Sequence, residues 1–333
     1  MSLFEMERIN LWIDTDCGID DSTAILICLD SPRINVVGIS CIGGNVSVSN
    51  VSINVLRTLK AYSHHLNKIN NQLKQNKINE YENIPVYAGC EKALLTPSMH
   101  VPHIHGNDGL GDIDPSEFDV QETVEKRPEN GVFKMIETIR KYEHITVMTL
   151  GPLTNFALAN HLAPDISEHI DSLVIMGGAE DLKGNTTKFA EFNIRCDPEA
   201  AKIVFDTFPN HKITLSTWSL TMKNGISGEN FNFIFKQNGP DCTIMQRWIA
   251  KTWEKALKHD NGVALMADPL AAFIVAYGDD AILESMRKKI DVPLFGEEVG
   301  ATKCNDDANG VRIVTKINFD LLMSVMKHLL TGQ

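Results

Sequence analysis

Residues 9–22 read Ile9-Asn10-Leu11-Trp12-Ile13-Asp14-Thr15-Asp16-Cys17-Gly18-Ile19-Asp20-Asp21-Ser22, a short apolar run that leads straight into four carboxylates. Ile9 to Ile13 is too short for a helix and reads as a buried strand, whereas Ser22 to Leu29 carries helical spacing. Acidic residues between the two fall in the crevice at a strand's carboxyl end, where open α/β sheets hold their ligands. Carboxylates that close repel and raise one another's pKa, so the pattern calls for a cation among them. Donor sets of oxygen alone favour Ca²⁺ or Mg²⁺ over zinc. Gly18 reads as the tight turn that lets the carboxylates on both sides converge. Capping of the next helix would account for Asp20 or Asp21, but not for Asp14 and Asp16.

Outward from this segment, buried strands are expected at Ile34 to Ile42, His144 to Leu150, Asp171 to Met176 and Lys212 to Leu215. Helical spacing falls between them at Ser49 to Ala61, Gly131 to Tyr142, Leu153 to Asn160 and Pro198 to Phe205. The alternation predicts one α/β domain over residues 1–333, Rossmann-like, with a mostly parallel central sheet flanked by helices. Residues 64–83, rich in Asn, Lys and Gln, lack the spacing to bury a face and read as a polar insertion or an exposed helix extension. Leu95 to Asp114, rich in Pro, His, Gly and Asp, is long for a connection and polar for a core, which marks it as functional.

With 43% hydrophobic and 22% charged residues in 333, disorder is not the expectation. A net charge of −12 argues against nucleic acid or an anionic membrane as partner and for a small molecule. The seven cysteines are odd in number and form no C-x-x-C pair, so they read as reduced thiols of a cytoplasmic protein. No signal-peptide core and no run long enough to span a bilayer stands out.

The run Asp16-x-Gly18-x-Asp20-Asp21 after a first strand resembles the signature of the inosine-uridine preferring nucleoside hydrolase family. In the same order follow Gly43-Gly44-Asn45, His105-Gly106-x-x-Gly109-Leu110-Gly111, Gly151-Pro152-Leu153-Thr154-Asn155 and Met176-Gly177-Gly178. Glu191-Phe192-Asn193, Asp197-Pro198 and Asp268-Pro269-Leu270-Ala271 complete the set. The resemblance implies hydrolysis of the N-glycosidic bond of ribonucleosides, with Ca²⁺ held by Asp16, Asp21, the Leu150 carbonyl and Asp268. It implies that Asp16 takes the proton of a calcium-bound water. Asp20, Asn45 and Asn193 match positions that hold the ribose hydroxyls, and Met176, Asn185 and Glu191 match positions near the sugar ring and its 5′-hydroxyl. Relatives are usually homodimers or homotetramers.

Several of these residues also have plain structural readings. Gly177-Gly178 could end a strand, Asp197-Pro198 reads as a helix start and Asn155 as an ordinary cap. Glu191 and Asn193 alternate along a short polar stretch, so both would face one side of an extended segment. The chain departs from the family where many pyrimidine-accepting members place a proton-donating His before the last Asp, since Ala267 stands there. His103 and His105 lie in the polar loop and have the chemistry of a donor, His105 being better aligned. Fixing the loop through a hydrogen bond is the competing role for that imidazole. Trp218 lies where purine-preferring relatives carry a Trp, and stacking there would favour purines; Trp248 and Trp253 would flank the pocket mouth. A phosphatase of the haloacid dehalogenase type fits poorly, because Gly18 stands where that family has Thr or Val. A calcium sensor lacks its twelve-residue loop, which leaves a binding protein with little activity as the alternative.

Overall fold

The structure, a computed structural model, describes residues 8–69, 81–112, 114, 129–227, 242–259 and 262–331. Strands β1 (Ile9–Thr15), β2 (Ile34–Cys41), β3 (Val86–Ala88), β4 (Ile145–Thr149), β5 (Ile170–Met176) and β6 (Ile213–Ser216) pair in parallel. A two-stranded ribbon of β7 (Ile226–Ser227) and β8 (Val263–Ala264) stands apart from them. Among the described residues, β9 (Ile282–Asp291), β10 (Lys303–Asp306) and β11 (Val311–Ile317) complete a nine-stranded sheet ordered β10-β9-β11-β6-β5-β4-β1-β2-β3. β11 joins β6 in parallel while β9 and β10 run antiparallel, so the sheet is mostly parallel, as expected.

The five strands read from sequence all form. β9 escaped that reading because it has a charged, mostly solvated pattern, Ile-Leu-Glu-Ser-Met-Arg-Lys-Lys-Ile-Asp, with Ile290 as its one buried residue.

Alternation along β1 feeds both faces of the sheet. Leu11 and Ile13 join the core beneath helix α1 (Ile19–Asp30), whereas Trp12 joins the opposite core with Val147, Phe156 and Leu173. Each such side chain, fully buried, is worth roughly 1.5–3 kcal/mol relative to exposure. Helix α1 begins three residues before the expected Ser22. Gly18 is its N-cap, and the Asp21 carboxylate accepts the Gly18 N–H at 2.8 Å, which ties down the first turn. The helix is buried from Ile19 to Leu29 except at Asp20, packed beside the Ala267–Tyr277 helix, which itself lies against the sheet.

Helix α2 (Val48–Ile69) outruns the expected end at Ala61. The polar insertion therefore starts as helix, and its inner face is core: His65 is 1% exposed and its Nδ1 lies 2.8 Å from Thr243 Oγ1. Residues 70–80 of that stretch lie outside the described residues. None of the seven cysteines is in a disulfide. No helix among the described residues is long and apolar enough to cross a membrane.

Burial pushes the His65 imidazole from 6.5 down to about 4. The folded chain keeps it neutral where the unfolded chain protonates it. Its stabilising effect is thus full above pH 6.5 and is lost as pH falls toward 4, on the order of 2 kcal/mol in all. Denaturant titrations at about pH 7 and about pH 4.5 should show the native chain losing more stability between the two than His65→Gln loses.

Candidate active site

The strand order turns at β1, which has β2 on one side and β4 on the other, and this is the point where doubly wound sheets open a crevice. The chain places its chemistry there. Asp16 follows β1, Asn45 follows β2, Leu150 follows β4 and Met176 ends β5. A cavity of about 540 Å³ opens over these strand ends, lined by Asp16, Asp20, Asn45, Leu150, Met176 and Asp268.

Of the acidic run, Asp14 does not join the site. It lies on the Trp12 side of the sheet, where its Oδ1 accepts from Ser40 Oγ and from Asn155 Nδ2 at 2.8 Å. Burial pushes its carboxyl up to about 7. Asn155 is correspondingly not the cap expected of it. Its Oδ1 accepts the Cys90 N–H at 2.8 Å and its Nδ2 also reaches the Cys41 carbonyl, so it ties β1 to the ends of β2 and β3. Asp197 does cap a helix, accepting the Ala200 N–H at 3.0 Å.

The fourth carboxylate of the crevice is Asp268, brought in by the Ala267–Tyr277 helix. Carboxylate oxygens of Asp20, Asp21 and Asp268 lie within 4.8 Å of one another, and Asp16 is electrostatically engaged with them. Burial raises the pKa of all four, Asp20 to about 6, and neighbouring carboxylates push Asp16, Asp21 and Asp268 up further. Asp21 is satisfied by Thr15 Oγ1 at 2.6 Å, by Gly18 N–H and by Asn45 Nδ2 at 3.2 Å. One buried oxygen on each of Asp16, Asp20 and Asp268 has no protein partner. Buried carboxylate oxygens left unpartnered beside other carboxylates fit a hard cation. Of the expected metal ligands, Asp16, Asp21 and Asp268 are thus brought together, with Asp20 added to them. Leu150 lines the same cavity, and its carbonyl accepts Asn193 Nδ2 at 2.7 Å, leaving its second lone pair.

Gly18 has extended backbone, so its role is space rather than a special turn. A Cβ there would sit 2.5 Å from His105 Nδ1. Gly44 is confined likewise, because a Cβ would meet Asp16 Oδ2 at 2.2 Å. That close approach lets the Asn45 N–H hold the same oxygen at 2.8 Å.

The remaining expected residues line the cavity but differ in how free they are. Glu191 is itself extended, but Asn193 is already helical, so the two do not alternate along one extended segment. Glu191 caps the Phe192–Cys196 helix, and its carboxylate accepts the N–H groups of Gly178, Asn193 and Ile194. Burial raises it to about 7. Asn193 turns its amide hydrogens to Leu150 and Met176. Asn185 is exposed at the rim and accepts the Phe192 N–H at 2.8 Å. Trp218 is half-buried in the wall after β6, anchored by its N–H to Gly178. Trp253 joins that wall, its Nε1 donating to Thr23 at 3.0 Å, whereas Trp248 lies outside the lining.

His105 Nδ1 accepts the Ile19 N–H at 3.2 Å, so the loop-fixing role is the one the structure displays. The His103 side chain lies outside the described residues. His100 lines the cavity without having been singled out in the sequence, for it stands in the same loop without motif or spacing to distinguish it.

An α/β domain with an acidic, aromatic-walled cavity at its switch point is shaped to receive a small molecule. The profile of the inosine-uridine preferring nucleoside hydrolases matches residues 11–324, and the chain belongs to that family. It is 34% identical over 213 residues to the inosine-uridine preferring nucleoside hydrolase of Crithidia fasciculata, covering 63% of this chain and 58% of that protein. It is 34% identical over 203 residues to the pyrimidine-specific ribonucleoside hydrolase RihB of Escherichia coli O1:K1, covering 60% of this chain and 57% of that one. The chain thus aligns with little more than half the length of these relatives. An inosine-guanosine nucleoside hydrolase structure superposes with a TM-score of 0.83 at 25% identity, covering 97% and 98% of the two chains. The purine-preferring ribonucleoside hydrolase structure from Gardnerella vaginalis gives 0.81 at 24%, again over 97% and 98%, and supports the fold.

Relief of the repulsion is testable by melting. In chelator, Asp268→Asn should melt at or above the native temperature, since it removes a crowded carboxylate. A divalent cation at roughly a hundred times its Kd should stabilise the native chain by about 2.7 kcal/mol and the variant by far less. Thermal shift assays with and without Ca²⁺ read both.

Proposed function

We propose that this protein hydrolyses the N-glycosidic bond of ribonucleosides to free base and ribose, with Ca²⁺ as its resident ion and purine nucleosides favoured. The observation that carries the reading is one cavity that joins unpartnered carboxylate oxygens on its floor to Trp218 and Phe192 in its wall. A ribose needs the first and a base the second.

Asp16, Asp21, Asp268 and the Leu150 carbonyl would hold the ion. When bound, Ca²⁺ supplies the charge that lets these carboxylates stay ionised together, grips a diol and acidifies water. The protein's own groups do the rest. Asp16 is held by the Asn45 N–H through one oxygen and presents the other, unpartnered, to take the proton of the attacking water. Asp20, Asn45 and Asn193 stand where the ribose hydroxyls are recognised, while Met176, Glu191 and Asn185 border the 5′ side. Cleavage builds positive charge on the sugar, and the fixed carboxylates lower its energy. With its oxygens engaged by backbone, Glu191 shapes this wall more than it reaches for substrate. Trp218 offers an apolar face whose contact grows with the size of the base, which favours purines.

The test is release of free base and ribose from inosine, guanosine, adenosine, uridine and cytidine, each with Ca²⁺ and with excess chelator, in the absence of phosphate. Calcium-dependent release, fastest from purines, is expected, with Asp16→Asn slower by about 10²–10⁴-fold. Binding of calcium and ribose without release of any base would contradict hydrolysis and favour a binding protein.

A further inference from the structure

The geometry points to His100 as the acid that protonates the departing base; this rests on the hydrolytic reading above. Cleavage sends the C1′–N electron pair onto the base, which leaves poorly as an anion, so a proton donor belongs on the base side of the cavity. Ala267, beside the carboxylate Asp268, cannot supply one. Among the described side chains that line the cavity, the ionisable ones are Asp16, Asp20, Asp268, Glu191, His100 and His105. Three of these form the acidic floor, and Glu191 is occupied by three backbone N–H groups.

Hydrogen bonding separates the two histidines. His105 Nδ1 accepts the Ile19 N–H, at the positive end of helix α1, at 3.2 Å. That bond engages Nδ1 as an acceptor and ties the imidazole to the first turn of the helix, so this ring fixes the loop. Asp20 Oδ1, 3.9 Å from the same nitrogen, is beyond hydrogen-bond distance.

His100 has the opposite polarity. Its Nδ1 lies 2.8 Å from the Gly44 carbonyl, which can only accept, so Nδ1 carries a hydrogen in either charge state. Nε2 is then the atom left to donate a proton to a ligand. The anchor is itself fixed, for Val101 N–H donates to Asn45 O at 3.2 Å, and Asn45 N–H holds Asp16. One loop therefore positions both the base and the acid. In the step, the C1′–N bond breaks, the His100 Nε2 proton passes to a ring nitrogen of the base, the water oxygen bonds to C1′ and its proton passes to Asp16. Solvent reprotonates His100 and takes the proton from Asp16.

The test compares inosine with p-nitrophenyl riboside, whose phenolate departs without protonation, in the calcium-supplemented full chain. His100→Ala and His100→Gln should each lower kcat on inosine by about 10²-fold and on the aryl riboside by less than about threefold. His100→Gln keeps a donor for Gly44 but carries no acid, so recovery of the inosine rate in that variant would reduce His100 to a positioning residue and overturn the proposal. Equal losses on both substrates, or none on inosine, would overturn it too while leaving hydrolysis intact. A native chain inert toward both would overturn the hydrolytic reading and this assignment with it.

Discussion

Buried like charges are the constraint around which this structure is arranged. Asp16, Asp20, Asp21 and Asp268 converge at the end of β1, and three of their oxygens have no protein partner. Water solvates such groups cheaply and a protein interior does not, so the fold holds them only through many compensating contacts. Thr15, Gly18 and Asn45 hold Asp21, and Asn45 holds Asp16. Asn155 and Ser40 hold one oxygen of Asp14 on the other face of the sheet, where burial raises the pKa of its carboxyl and the second oxygen has no protein partner. The two cores on either side of β1 supply the stability that lets this crowding persist.

Much of this was legible in the chain itself, for particular reasons. The five central strands are short apolar runs with both faces buried, which leave an unmistakable pattern. The motif residues after β2, β4 and β5 were supplied by the family resemblance, and the fold unites them with Asp16 because a parallel sheet brings all its carboxyl ends to one edge. The crowding itself was readable, but not its membership. Asp14 and Asp16 are two apart, which suggests a shared face; β1 ends at Thr15, however, so Asp16 leaves the strand register and only Asp14 keeps it. Spacing offers Asp14 where the site has Asp268, which the family resemblance supplied and spacing could not, because its helix lies more than two hundred residues away.

The less legible parts are those in which a side chain serves backbone. Glu191 looked like a substrate group because it alternates with Asn193, yet it caps a one-and-a-half-turn helix that starts beside it. Gly18 looked like a turn residue and proves to be a clearance for His105. His65 sits in a run of polar residues and is nevertheless core, since α2 continues eight residues past its expected end. The edge strand β10 and its neighbour β9 carry charged, largely solvated residues, as strands at an exposed edge commonly do. In each case tertiary context decides the role.

The central claim is that the crevice at the end of β1 is completed by a calcium ion held by the carboxylates that crowd it. A crystal structure of the protein grown with Ca²⁺ and ribose tests this most directly. The account predicts one cation contacting Asp16, Asp21, Asp268 and the Leu150 carbonyl, with the ribose diol against it. A cavity without cation under saturating calcium, or a cation held by other residues while these carboxylates remain protonated, would contradict it.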